Sequence, residues 1–210
     1  MAPLWIKICG LRTAAAIEAA VTEGADAVGF VFHEASPRNL PLDAARELQR
    51  HVPQGVERVA VFLHPSQALV DAVLDVVAPD WLQTDVADLA RLRLPEGQRV
   101  LPVLRSSAGI LQPPPRCLFE SARSGAGEQA DWQAAARLSR ATQVVLAGGL
   151  HPANVALAVS AVRPFGVDVS SGVERERGLK DAKLIREFIR AARAAERDPP
   201  VEESRWNPGP

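Results

Sequence analysis

Hydrophobic and polar positions follow two alternating patterns along the chain. Short runs rich in β-branched residues, such as LWIKIC (4–9) and DAVGFVF (26–32), are followed by alanine-rich stretches with apolar residues at helical spacing, such as TAAAIEAAVTEG (13–24). The first pattern predicts buried strands, and the second predicts helices that cover them. Because each predicted strand is followed by a predicted helix, the chain is expected to form a parallel α/β fold.

The pattern contains eight predicted strands, the number found in a closed (β/α)₈ barrel. The strands after the first two are RVAVFL (58–63), DWLQ (80–83), RVLPVL (99–104), CLFES (117–121), QVVLAG (143–148) and GVDVS (166–170). The sequence therefore predicts a single (β/α)₈ TIM barrel over residues 1–196 and a flexible tail, rich in proline and charge, over 197–210. The fifth helix is expected to be short or irregular, since SSAGILQPPP (106–115) contains three consecutive prolines.

The positions of the glycines argue against the main alternative, a doubly wound nucleotide-binding sheet. Such a sheet places its Gly-rich phosphate turn after the first strand. Here the first turn reads CGLRT, whereas AGGL (147–150) and SSGVE (170–174) follow the last two predicted strands. Barrels commonly bind phosphate at these two turns, through backbone N–H groups at a helix N-terminus. The sequence thus predicts a phosphate site there.

Composition and charge narrow the possible partners. A net charge of −1 over 210 residues provides no basic excess for a nucleic-acid partner. A basic leader and an apolar run of about 18 residues are both missing, so we expect a cytoplasmic protein with no membrane partner. Cys9 and Cys117 are expected to be reduced. The four histidines are dispersed without metal-binding spacing, and we expect neither a metal nor a cofactor.

The first predicted strand places polar side chains inside the barrel. Trp5, Lys7 and Cys9 share one face, while Ile6 and Ile8 share the other and suit the layer beneath the helices. Cys9 is the last of the inward residues and should lie at the mouth. The alternation of inward and outward side chains, taken by itself, slightly favours Cys9 as a buried structural thiol. The helix N-termini that face the mouth instead favour a thiolate with a lowered pKa.

Three further charged residues are candidates for the site. An inward Lys7 needs a partner, and Asp168 on the eighth strand is expected to supply it, since strands one and eight are neighbours in a closed barrel. Glu120, at the end of the sixth strand, is either a proton donor in a partly closed mouth or a solvated glutamate. Arg38, on the long turn after the second strand, is either solvated or placed over an anionic substrate.

Four segments together resemble the phosphoribosylanthranilate isomerase family of tryptophan biosynthesis. They are KICG (7–10), GADAVGFVF with SPR (24–38), LAGGL with the following Pro152 and Asn154, and GVDVSSGVE with Gly178, Lys180 and Asp181. The resemblance runs from the first strand to the last helix. It implies an Amadori rearrangement of a small phosphosugar, in which an acid opens the ribose ring and a base removes the C2 proton.

The resemblance also implies a role for each candidate. Cys9 would be the base, Glu120 the acid, and Arg38 would lie near the anthranilate carboxylate. The implied substrate-binding residues are Arg38, Gln83, Gly148, Gly149, Asp168, Ser171 and Gly172, with the phosphate held by the last two Gly-rich turns. The chain would act as a monomer or a homodimer.

This chain departs from the family pattern at two strand ends. The family's sixth strand ends in Leu-Leu-Asp, whereas this chain has LFE (118–120), so its acid is one methylene longer. The family's Gln-Leu-His-Gly after the fourth strand is QTDV (83–86) here, and only Gln83 is retained. Because the acid is altered, one alternative function stays open: the barrel binds a phosphorylated ligand without catalysing a reaction. A Schiff-base lyase or aldolase is also open, through Lys7, the only one of three lysines on a predicted strand.

Overall fold

A closed barrel of eight parallel strands forms the centre of the protein, as the alternating pattern predicts. It is seen in a computed structural model in which residues 3–105, 112–121 and 127–197 are described. The strands are β1 (Trp5–Cys9), β2 (Ala27–Phe32), β3 (Glu57–Phe62), β4 (Trp81–Asp85), β5 (Arg99–Leu104), β6 (Arg116–Phe119), β7 (Gln143–Leu146) and β8 (Gly166–Val169). Each strand pairs with the next, and β8 pairs with β1 to close the barrel.

Helices cover the outside of the barrel. Within the described ranges they are α1 (Ala14–Thr22), α2 (Leu42–Leu48), α3 (Gln67–Val77), α4 (Val86–Leu89), α5 (Trp132–Leu138), α6 (Val155–Val162) and α7 (Ala182–Arg197). In the connection expected to be irregular, residues 112–115 form no helix, and 106–111 lie outside the described residues. The predicted tail lies outside them from residue 198 onward. In the part of the chain that can be searched, no helix combines the length and apolarity needed to cross a membrane.

Alternation along β1 sorts its side chains into two layers. Ile6 and Ile8 are fully buried between the barrel and the helices, and Trp5 packs in the barrel interior with Trp81. Lys7 also points inward and is 0% exposed. The inward and outward faces predicted from the sequence are therefore confirmed, and the last residue of β1, Cys9, lies at the mouth.

A small hairpin at the mouth was not predicted. After a 3₁₀ turn over Ser171–Val173, the strands β9 (Glu174–Glu176) and β10 (Leu179–Lys180) pair in antiparallel fashion. Gly178 occupies the turn with a φ of +84°, a conformation that favours glycine. Lys180 therefore lies on a strand, and the expectation that Lys7 is the only strand lysine is wrong. The hairpin is too short for strand periodicity to reveal it.

Candidate active site

Two adjoining cavities open at the carboxyl ends of the barrel strands. The larger has a volume of about 280 Å³, and its lining includes the predicted residues Cys9, Arg38, Gln83, Glu120 and Asp168. The smaller, of about 40 Å³, is lined by the predicted Gly148, Gly149 and Ser171. Glu120, Asp168 and Ser170 line both cavities, so the two form a single site. The fold thus gathers the candidate residues at one mouth, except that Gly172 packs against Leu150 and lines neither cavity.

Cys9, the last residue of β1, lies buried at the floor of the larger cavity. Burial raises the pKa of its thiol, while the nearby ammonium groups of Lys7 and Lys180 act in the opposite direction. The lowered pKa expected from the helix N-termini is therefore wrong, because desolvation outweighs these charges. Gly29 on β2 leaves room for the thiol, since a Cβ at that position would lie 3.0 Å from the Cys9 Sγ.

Lys7 and Asp168 form the ion pair that was predicted inside the barrel. The Lys7 Nζ lies 2.8 Å from the Asp168 Oδ1, and the β1–β8 register places the two residues opposite each other. Burial lowers the pKa of Lys7, but the charges of Asp168 and Cys9 more than offset it and the pKa is raised. A buried, protonated amine that lines neither cavity is poorly placed to form a Schiff base.

Arg38 is buried, which excludes the solvated alternative. Its Nε and Nη2 donate to the two carboxylate oxygens of Glu174 over 2.7 and 2.9 Å. The Lys180 Nζ donates to the same carboxylate over 2.7 Å. Among the described residues, no hydrogen bond uses the Arg38 Nη1, so this nitrogen is available to an anion in the cavity that Arg38 lines.

Replacement Glu174→Gln is expected to cost stability in a pH-dependent way. Burial raises the pKa of Glu174, but hydrogen bonds from Arg38 and Lys180 more than compensate and hold it at about 2. Because its pKa is lowered, the ionised Glu174 stabilises the fold by about 3 kcal/mol at pH values above the ordinary pKa of 4.5. This stability is lost as the pH falls towards 2. Urea unfolding should show a deficit of this order at pH 7 that shrinks progressively below pH 4.5.

The matched control is Glu176→Gln, two residues further along the hairpin, where the side chain is exposed. This variant should unfold like the parent at both ends of the pH range. An equal deficit for Glu174→Gln at pH 7 and at low pH would contradict the role assigned to its charge.

Glu120 lies just beyond the end of β6, one residue outside the observed strand, although the predicted strand extended to 121. Its backbone N–H donates to the Leu104 carbonyl over 3.0 Å. Its carboxylate accepts a hydrogen bond from the Arg105 Nη2 over 2.9 Å, and the side chain is 11% exposed. A fully solvated glutamate is therefore excluded, and Glu120 faces the cavity that Cys9 also lines.

The Gly-rich turns after β7 and β8 pack against each other. Gly148 and Gly149 have φ values of +85° and +65°, which favour glycine. Gly172 touches the preceding turn so closely that a Cβ there would lie 1.9 Å from the Leu150 carbonyl oxygen. Asn154 holds the first turn by donating from Nδ2 to the Gly149 carbonyl over 2.9 Å. These contacts shape a small cavity with backbone at its wall, as a phosphate site requires.

Gln83 lines the larger cavity and carries a buried, unpaired acceptor. The residue is 6% exposed, and within the described part of the chain its buried Oε1 has no hydrogen-bond partner. A buried, unsatisfied acceptor is unusual in a folded protein. Gln83 is therefore a polar residue of the cavity wall whose oxygen has no partner among the described residues.

Sequence reasoning missed several polar residues of the site. His33, Arg105 and Arg177 line the larger cavity, and Lys180 donates to the backbone and hydroxyl oxygens of Ser170 at the same mouth. Arg105 follows β5 directly, so the rule that polar residues at the carboxyl ends of barrel strands belong to the site would have found it. His33 follows β2 directly in the same way, so the same rule would have found it, whereas no comparable pattern points to Arg177.

Comparison with known proteins agrees with this geometry. The sequence profile of the family described as N-(5′phosphoribosyl)anthranilate (PRA) isomerase matches residues 6–191. The N-(5′-phosphoribosyl)anthranilate isomerase of Rhodopseudomonas palustris strain BisB5 is 40% identical over 210 residues, which cover 91% of this chain and 96% of that protein. The match extends over β1 to α7, so the likeness is not confined to the short motifs at the mouth.

Two solved structures are similar over the same length. The phosphoribosyl anthranilate isomerase from Thermotoga maritima has a TM-score of 0.81 and 31% identity, covering 91% of this chain and 99% of that chain. A phosphoribosyl anthranilate isomerase in complex with reduced 1-(o-carboxyphenylamino)-1-deoxyribulose 5-phosphate has a TM-score of 0.76 and 30% identity, with the same coverage. Sequence and structure therefore agree that this chain belongs to the N-(5′-phosphoribosyl)anthranilate isomerase family.

Proposed function

We propose that this barrel converts N-(5′-phosphoribosyl)anthranilate to 1-(2-carboxyphenylamino)-1-deoxyribulose 5-phosphate, an isomerisation in tryptophan biosynthesis, with Cys9 as the base and Glu120 as the acid. The observation that carries the proposal is the shared mouth. Cys9 and Glu120 line one cavity, which is continuous with the cavity at the Gly-rich turns. A sugar phosphate seated in the turns would extend its ribose carbons towards both groups.

The reaction needs one proton donor and one proton acceptor and no other reactant. Glu120 gives a proton to the ribose ring oxygen, the bond from that oxygen to C1 breaks, and the nitrogen lone pair forms an iminium with C1. The Cys9 thiolate then removes the C2 proton, and the C2–H electron pair forms the enolamine. The Glu120 carboxylate takes the enol O–H proton and the Cys9 thiol returns a proton to C1, which gives the aminoketose. The protons balance, and both side chains return to their initial states.

The surrounding charges support these roles. The ammonium of Lys7 favours the Cys9 thiolate that burial opposes. The Arg38 guanidinium, which lines the cavity, is suited to the anthranilate carboxylate, and the Gln83 amide offers a further polar group in the same wall. Gly148, Gly149, Ser171 and Gly172 would hold the phosphate through backbone N–H groups and the serine hydroxyl. Asp168 holds Lys7 in place and lines both cavities.

We further propose that the protein is cytoplasmic and acts as a monomer or homodimer without a nucleic-acid or membrane partner. The balanced charge supports the part of this proposal that concerns nucleic acid. Light scattering after size exclusion would measure the oligomeric state, and a higher oligomer would contradict it.

The decisive test is a fluorescence assay in which the purified chain consumes phosphoribosylanthranilate. Saturable turnover to the aminoketose supports the proposed reaction. Product binding without any turnover would instead support the binding-only barrel. Trapping of a substrate adduct on Lys7 by borohydride would support the Schiff-base alternative.

Glu120→Gln is expected to lower kcat by about 10²–10⁴-fold, the usual contribution of a positioned general acid. Glutamine has a similar size and still accepts a hydrogen bond from Arg105, but it carries no acidic proton. Binding of the product, measured by isothermal titration, should be nearly unchanged. A Glu120→Gln variant with the parent's kcat would remove Glu120 from the acid role.

A further inference from the structure

We propose that Arg105 is a positioning residue for the acid, fixing the Glu120 carboxyl through one nitrogen while Asp85 anchors it through another. The Arg105 Nη2 donates to the Glu120 Oε1 over 2.9 Å, and its Nη1 contacts the Asp85 Oδ1. One guanidinium thus bridges two carboxylates across the mouth. The inference rests on the proposed acid role of Glu120 and adds the group that orients it.

Backbone register brings the three residues together at the ends of three successive strands. Asp85 ends β4 and pairs with Val103 of β5. Leu104 pairs with Phe119 of β6, and the Glu120 N–H extends this pairing by donating to the Leu104 carbonyl. Arg105 and Glu120 come directly after the Leu104–Phe119 pair. The guanidinium therefore bridges groups whose main chains are already fixed.

Burial separates this bridge from an ordinary surface ion pair. The side chains of Asp85, Arg105 and Glu120 are 16%, 24% and 11% exposed. Exposed ion pairs contribute little because water screens them and their side chains remain mobile. A planar guanidinium that donates from two nitrogens to two partly buried carboxylates imposes much more geometric constraint. All three residues line the larger cavity, so the constraint acts where the substrate binds.

The bridge joins two of the residues at which this chain departs from the family pattern. Asp85 and Glu120 both contact the same arginine. A glutamate has one more rotatable bond than the family's aspartate and thus more positions for its carboxyl group. A fixed contact to Arg105 removes that freedom. The Asp85 carboxylate contacts the same guanidinium and offsets part of its charge.

The test is steady-state kinetics of Arg105→Gln and Asp85→Asn with phosphoribosylanthranilate. A misplaced catalytic group costs up to about 10²-fold, so we expect Arg105→Gln to lower kcat by about 10- to 100-fold with KM unchanged. Asp85→Asn should lower kcat less. The double variant should be no worse than Arg105→Gln, because Asp85 acts through Arg105. Guanidinium ion added to Arg105→Ala should restore part of kcat.

Controls separate positioning from other roles. Arg91→Gln removes an arginine that pairs with buried Asp88 and lines neither cavity, and it should keep the parent's kcat. Arg105→Lys keeps the positive charge and the aliphatic part of the side chain but loses the planar guanidinium that donates from two nitrogens. This variant should therefore fold and still have a lowered kcat. A raised KM with normal kcat in Arg105→Gln would show that Arg105 binds substrate and would overturn the proposal. Normal kcat in Arg105→Lys would also overturn it.

These outcomes are distinct from failure of the proposed reaction. An inactive parent chain would contradict the function itself. An active parent whose Glu120→Gln variant is inactive, together with a fully active Arg105→Gln variant, would contradict only the positioning role. Titration with product would confirm that each variant still folds and binds.

Discussion

Cys9→Ser is expected to lower kcat by about 10²–10⁴-fold while leaving product affinity intact. The substitution replaces one sulfur by oxygen at the floor of the larger cavity, so packing against Gly29 and Lys7 changes little. A serine hydroxyl is a far poorer source of a basic anion than a thiol, even with the Lys7 ammonium nearby. The fluorescence assay measures kcat, and isothermal titration with the aminoketose measures binding.

The second cysteine provides the matched control. Cys117 is also fully buried, but it faces the layer between the barrel and the helices and lines neither cavity. Burial raises the pKa of its thiol to about 11, which makes it unreactive. Cys117→Ala should lose some stability but no turnover. If Cys9→Ser retained more than about a tenth of the parent's kcat, the base would have to be another group.

Periodicity was sufficient to predict the barrel because its strands are buried on both sides and its helices are amphipathic. The alternation of Lys7 and Cys9 with Ile6 and Ile8 identified the inward face of β1 correctly. Barrel closure then placed Asp168 opposite Lys7, a contact between residues 161 positions apart. The hairpin formed by β9 and β10 escaped prediction, because two- and three-residue strands carry no measurable period.

The sequence predicted which candidate residues lie together, but not the charges around them. The strand and glycine patterns singled out Cys9, Glu120 and the Gly-rich turns, the family resemblance suggested their roles, and the fold places them around one mouth. The pKa of Cys9 could not be predicted, since it depends on how completely the barrel removes water from the thiol. The position of Arg105 after β5 would have placed it at the mouth, but its contacts with Asp85 and Glu120 could be seen only in the structure.

Replacement Lys7→Met is expected to lower the free energy of unfolding by about 3–5 kcal/mol, because it leaves the Asp168 carboxylate buried without a partner. A domain of this kind has only about 5–15 kcal/mol in total. Asp168→Asn should cost a similar amount by leaving the Lys7 ammonium unpaired. Urea unfolding of both single variants and of the double variant would measure the coupling between the two residues.

Stability and activity should separate in the double variant Lys7→Met/Asp168→Asn. With both charges removed, most of the lost stability is expected to return, since no uncompensated charge remains in the barrel. Turnover should stay low, because the Cys9 thiolate no longer has the Lys7 ammonium to oppose its desolvation.

Lys183→Met is the control: that side chain is 78% exposed and lies 3.7 Å from Glu187, and its replacement should lower the free energy of unfolding by less than about 1 kcal/mol. A Lys7→Met variant as stable as Lys183→Met would mean that the buried pair contributes no more than a surface pair. Full activity in the Lys7→Met/Asp168→Asn variant would mean that Cys9 acts as a base without the Lys7 ammonium.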